Sequence, residues 1–167
     1  AGGWERTESI DSLNDPTAYV YAMAWYSDTE LYVVDSRRNL KSYASGSSGW
    51  TTTARGTVTS GIDQHMFFNP EKTRLAVIAN PSTSNSSASK VDIFHSASGT
   101  WNLITLDNTD IVAKPRGVTW PTENEIIIGM PHYGVPSNGT GIVRHFKYDG
   151  SSDWDLVSSV SGFANST

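Results

Sequence analysis

The side chains with the most chemistry to offer are aromatic. The chain has six Trp and seven Tyr among 167 residues. An indole is a flat apolar platform with one polar N–H, well suited to the C–H face of a sugar ring. Trp154 is the strongest candidate, because Tyr148 and the polar turn Asp149–Asp153 precede it. Trp101 opens the corresponding segment earlier in the chain. Arg74 would donate paired hydrogen bonds to hydroxyls or a carboxylate, and His145 would add a further hydrogen-bonding group. Each has a plainer alternative. A recurrent Trp usually packs between repeated units, and Arg74 ends the charged run Glu71-Lys72-Thr73-Arg74.

Other chemistries are poorly supplied. The four histidines (His65, His95, His132 and His145) show no His-x-His or His-x-x-x-His spacing, so no converging metal site is expected. There is no Cys, no Gly-x-Ser-x-Gly elbow and no phosphate-cradling glycine loop before a helix. No catalytic residue and no cofactor are expected. The strongest enzymatic alternative is a central-channel site built from Asp63, His65, Lys114 and Arg116.

Composition narrows the partners. Net charge is −5, charged residues make up 17%, and the densest basic cluster is the pair Arg37-Arg38. A nucleic-acid or anionic-membrane surface needs far more Lys and Arg. No apolar run approaches the ~18 residues of a membrane span. Three Asn-x-Ser/Thr sequons, at Asn85, Asn138 and Asn165, and a start at Ala1 point toward a secreted chain with something removed upstream.

The organising signal is an internal repeat. Gly/Ser-rich turns precede Trp4, Trp50, Trp101 and Trp154, at spacings of 46, 51 and 53 residues. Apolar runs at Leu31–Val34, Leu75–Ile78 and Ile126–Gly129 keep the same beat, each preceded by Trp25, Phe68 or Trp120. Each unit divides into four strands. They are 19–25, 31–34, 40–43 and 50–58, then 64–68, 74–79, 90–94 and 101–106, then 117–120, 125–129, 142–148 and 154–160. No segment sustains a 3.6-residue period, so no long helix is expected.

Four strands per unit of ~40–50 residues is the signature of a β-propeller. The expected fold is all-β: three four-stranded blades plus one extra outer strand, part of a larger, six-bladed ring. The divisions are an outer strand of a preceding blade at 1–16, then blades at 17–60, 61–112 and 113–167. Three blades cannot close a ring, since propellers have about 4–8. The chain is therefore expected to pair as a homodimer or to join the remaining blades of a longer propeller.

The unit reads Ala24-Trp25, then Leu40-Lys41-Ser42-Tyr43, then Gly49-Trp50. Its third copy reads Val118-Thr119-Trp120, then Phe146-Lys147-Tyr148-Asp149-Gly150, then Trp154. This resembles the repeat of the fungal fucose-specific lectins, six-bladed propellers. The resemblance spans about Trp4 to Val160. It implies sugar sites between blades, gripped by an Arg on the second strand, a Glu on the third and aromatics of the next blade. The Arg position reads Leu31 or Tyr32, then Arg74, then Glu125 or Ile126. The Glu position reads Ser42, Ile93, and Arg144 or His145. No unit carries the pair. Only Arg74 with Tyr148 and Trp154 keeps a partial set. The expected function is glycan or other small-ligand binding by Arg74, Trp101, His145, Tyr148 and Trp154. The alternatives are a channel enzyme and a structural or protein-interaction propeller.

Overall fold

The computed structural model describes residues 18–59, 63–80, 89–97, 100–106, 109–133 and 140–163. The N-terminal strand expected around Trp4 and the three sequons lie outside the described residues. Among the described residues, twelve strands form three antiparallel four-stranded sheets, each in sequence order, β1-β2-β3-β4, β5-β6-β7-β8 and β9-β10-β11-β12. Blade 1 holds β1 (Val20–Ser27), β2 (Glu30–Asp35), β3 (Asn39–Gly46) and β4 (Gly49–Thr57). Blade 2 holds β5 (Asp63–Phe68), β6 (Arg74–Asn80), β7 (Lys90–Ala97) and β8 (Thr100–Leu106). Blade 3 holds β9 (Gly117–Thr122), β10 (Glu125–Tyr133), β11 (Thr140–Tyr148) and β12 (Trp154–Phe163). This is part of a β-propeller. One turn is shorter than expected: β9 runs through Pro121 and Thr122, leaving Glu123-Asn124 as the connection.

Because side chains alternate across a strand, each blade has a front toward the preceding blade and a back toward the next. Strand register makes six front positions equivalent in all three blades. They are Met23, Trp25, Leu31, Val33, Tyr43 and Trp50 in blade 1. In blade 2 they are Met66, Phe68, Leu75, Val77, Phe94 and Trp101. In blade 3 they are Val118, Trp120, Ile126, Ile128, Phe146 and Trp154. All eighteen are apolar or aromatic.

These fronts pack into the backs before them. Met66, Leu75, Val77 and Phe94 join Tyr32, Val34 and Leu40 of blade 1 in one buried cluster. Ile126, Ile128, Phe146 and Trp154 join Ala76, Ile78, Val91, Ile93 and Leu106 of blade 2 in another. This explains why β6 reads as an unbroken apolar run: both its faces are covered.

Polar groups stitch the same seams. The buried Asp92 carboxylate of blade 2 accepts from Thr59 N (2.6 Å) and Thr59 Oγ1 (2.7 Å), at the exit of blade 1. It also accepts from Thr105 Oγ1 (2.9 Å). Asn80 Nδ2 donates to the Pro115 carbonyl (3.1 Å) at the entry to blade 3. Trp120 Nε1 donates to the Phe67 carbonyl (3.2 Å). Gly56 lets Phe94 come close, for an added Cβ would sit 3.1 Å from its ring.

Asp92→Ala leaves the part-buried Thr59 N–H without its partner. It should lower the free energy of unfolding by roughly 1–3 kcal/mol, read from urea denaturation. Asp28→Ala, at an exposed turn, should change it by less than about 0.5 kcal/mol. Equal effects would contradict a stitching role for Asp92.

Candidate binding site

The seam between blades 2 and 3 gathers the most chemistry. Arg74 starts β6 and points from the back of blade 2 toward blade 3, with only 7% of its surface exposed. Its guanidinium carbon lies 4.5 Å from the Tyr148 ring centroid and 5.5 Å from that of Trp154. Arg74 Nε donates to the Glu123 carbonyl (2.6 Å), and Nη2 donates to Asn124 Oδ1 (2.5 Å). Nη1 meets His95 Nδ1. Burial lowers the pKa of the guanidinium, against the pull of Glu123. It remains charged at neutral pH, because its starting value is so high.

The blade 3 side is positioned by a local device. Asp149 Oδ1 accepts from the amides of Ser151 (2.7 Å), Ser152 (3.0 Å) and Asp153 (3.1 Å). The Ser151 hydroxyl, donating to Asp149 Oδ2 (2.6 Å), and then these amide bonds hold its carboxyl well below the usual carboxylate range. Gly150 takes φ +88°, a conformation that favours glycine. The turn delivers Trp154 into the seam, where it is 3% exposed, directly opposite Tyr148 across the β11–β12 ladder.

His95, cross-strand from Arg74, completes the cluster. Its ring lies 4.6 Å from Tyr148 and 5.9 Å from Trp154. Trp154 Nε1 reaches His95 Nε2 at 3.2 Å. Desolvation, with the Arg74 charge second, pushes the His95 pKa down to about 4. The ring is therefore neutral at pH 7, and its single lone pair accepts from Arg74 or Trp154.

Beside this cluster opens a cleft of about 530 Å³, lined by Arg74, His95, Asn102, Leu103, Glu123 and Tyr148 among others. Thus three of the five expected residues, Arg74, Tyr148 and Trp154, come together. Trp101 does not. It fills the other seam, donating from Nε1 to Tyr32 Oη (3.1 Å) and packing edge-on to that ring. His145 does not either. It lies on the back of blade 3, 3.9 Å from Glu125 Oε1. The register corrects the position equivalent to Arg74 in blade 1, which is Glu30 rather than Leu31 or Tyr32, and decides for Glu125 in blade 3. Glu30 is already engaged by Arg55 (3.0 Å).

His95, Asn102 and Glu123 were not anticipated. Only His95 left a usable signal, the strand register that sets it opposite Arg74. Of the channel group, His65 is exposed and stacks on Phe67, with ring centroids 6.5 Å apart. No group of three or more His, Asp or Glu able to hold a metal occurs among the described residues.

No protein-family model and no curated protein matches the chain. Its fold does have a solved counterpart. The chain is similar to Sqt1 of Saccharomyces cerevisiae, a WD40 β-propeller, with a TM-score of 0.53 and 16% identity. The match covers 87% of this chain and 35% of Sqt1, so it spans about a third of that propeller. At this identity the likeness carries the fold alone.

The depressed His95 pKa fixes a pH dependence. The unfolded chain binds a proton near pH 6.5, the folded chain only near 4. His95 therefore leaves stability undiminished above pH 6.5 and lowers it as pH drops from there toward 4. His95→Gln should flatten this part of a stability–pH curve measured by urea denaturation. Arg74→Met should move the His95 pKa, followed by NMR, upward. An unchanged curve in His95→Gln would contradict the assignment.

Proposed function

We propose that this chain works as a non-catalytic, protein-binding part of a β-propeller. One contrast carries the reading. On the front of blade 1, Met23 is 65% exposed and Trp25 is 54% exposed. Their counterparts Met66 and Trp120 are buried against a neighbouring blade. Large exposed apolar side chains clustered on one face mark a protein-contact surface. The groups best suited to gripping a sugar, by contrast, are spent inside the fold. Trp101 and Trp154 pack between blades, and Arg74 directs its donors at Glu123, Asn124 and His95.

One feature supports small-ligand binding as a second reading, the 530 Å³ cleft beside Tyr148 and Ser151. It offers the part-exposed Tyr148 ring and Ser151 beside the apolar Leu103 and Ile104.

A photo-cross-linking residue at Met23 should give discrete protein adducts in a lysate. The same residue at exposed Ser47, in the β3–β4 turn, should give few. Calorimetric titration with a panel of monosaccharides, fucose included, should show no saturable heat. Saturable sugar binding that Arg74→Met or Tyr148→Ala abolishes would overturn the proposal in favour of the cleft.

A further inference from the structure

Two cavities of about 370 and 480 Å³ open beside the turns that follow the first strands, and Trp25 and Lys72 border both. The smaller is walled by Ala24-Trp25, Phe67-Phe68 and Thr119-Trp120, one register pair repeated in three blades. The two internal seams therefore set its shape. Apolar and aromatic side chains dominate the wall. Among the described residues that line it, Lys72 alone is charged.

Stacking does not account for Lys72. Four residues separate Trp25 from Glu30, and four separate Trp120 from Glu125. Five separate Phe68 from the equivalent Arg74, so blades 1 and 3 make this turn without the added residue. In blade 2 the buried Asn69 organises it. Its Nδ2 donates to Glu71 Oε2 (3.1 Å) and Thr73 Oγ1 (3.0 Å), and its Oδ1 accepts from Arg74 N (2.8 Å). Lys72 takes φ +60°, a left-handed backbone that residues with a Cβ adopt only at a cost. The turn carries its ammonium across the seam to blade 1. There Nζ donates to the Trp25 carbonyl (3.2 Å) and lies 4.9 Å from the Phe68 ring centroid. An ammonium has three N–H donors, and no carboxylate forms an ion pair with this one among the described residues.

We infer that the smaller cavity seats an apolar side chain of a partner protein, with a neighbouring Asp or Glu of the partner paired to Lys72. The inference rests on the protein-binding reading and names the chemistry of the segment bound. An aromatic wall with one cation and no acid complements an apolar group beside a negative charge. The larger cavity adjoins it at Trp25 and Lys72 and carries Asp28 on its wall, so it suits a neutral or basic side chain. Two adjoining cavities fit an extended segment, whose side chains enter in turn, better than one small molecule.

The test is selection from a phage-displayed library of random linear peptides on the full chain. The wild type should enrich peptides with an apolar residue next to Asp or Glu. Lys72→Glu should enrich Lys or Arg at the acidic position instead. Lys72→Gly suits the left-handed backbone and should keep native circular dichroism. It should nevertheless weaken a selected peptide about 2–5-fold by fluorescence anisotropy, with the difference shrinking as salt is added. Three results would overturn the inference and leave the protein-binding reading standing. They are enriched peptides without an acid, an unchanged preference in Lys72→Glu or affinity in Lys72→Gly, and no enrichment while the Met23 cross-linker still captures discrete proteins. Failure of both enrichment and cross-linking would overturn both readings.

Discussion

A four-stranded sheet with apolar side chains on both faces cannot remain in water by itself. Every feature of this chain follows from the need to cover those faces. β6 is apolar on both sides, because blade 2 has a neighbour in front and another behind. The strand-opening Trp recurs because it closes the outer end of each seam. Burial of this kind is worth about 1.5–3 kcal/mol for each large side chain, and each seam buries several. The inter-blade hydrogen bonds contribute less. They set the angle and register at which one blade meets the next, Asp92 with Thr59 at one seam and Arg74 with Glu123 and Asn124 at the other.

The Arg74 cluster shows how a seam can resemble a binding site. A guanidinium over two aromatic rings, a neutral imidazole and a convergent Trp N–H would grip a sugar or a carboxylate well. Here the same groups join two blades. A buried charge is costly unless it is paired or hydrogen-bonded, and Arg74 meets that requirement within the fold. Its equivalent in blade 1, Glu30, pairs with Arg55 instead, so the two seams solve one geometric problem with opposite charges. Repeats that share a backbone but not their polar contacts can drift in ligand chemistry while the stacking is retained.

Much of the fold was legible in the sequence. All twelve strands fall where alternation, apolar runs and turn residues place them, because a repeated pattern lets each unit check the others. Arg74, Tyr148 and Trp154 were grouped correctly for the same reason. Trp101 and His145 lie apart from this group, and sequence spacing does not say toward which neighbour a side chain points. Trp101 faces back to blade 1, and His145 faces away from both. Register decides this, and bulges such as the one between His145 and Phe146 shift it by one residue. The cleft residues Asn102 and Glu123 come from different blades and carry no repeated signature.

The central claim is that the blades are stable only through their stacked faces. It is tested most directly by following backbone amides of β2, β6 and β10 by NMR as the protein is heated. Stacking predicts that amides in all three central strands lose their native signals over one common transition. Separate melting of one blade, with native peaks persisting in the other two, would contradict it.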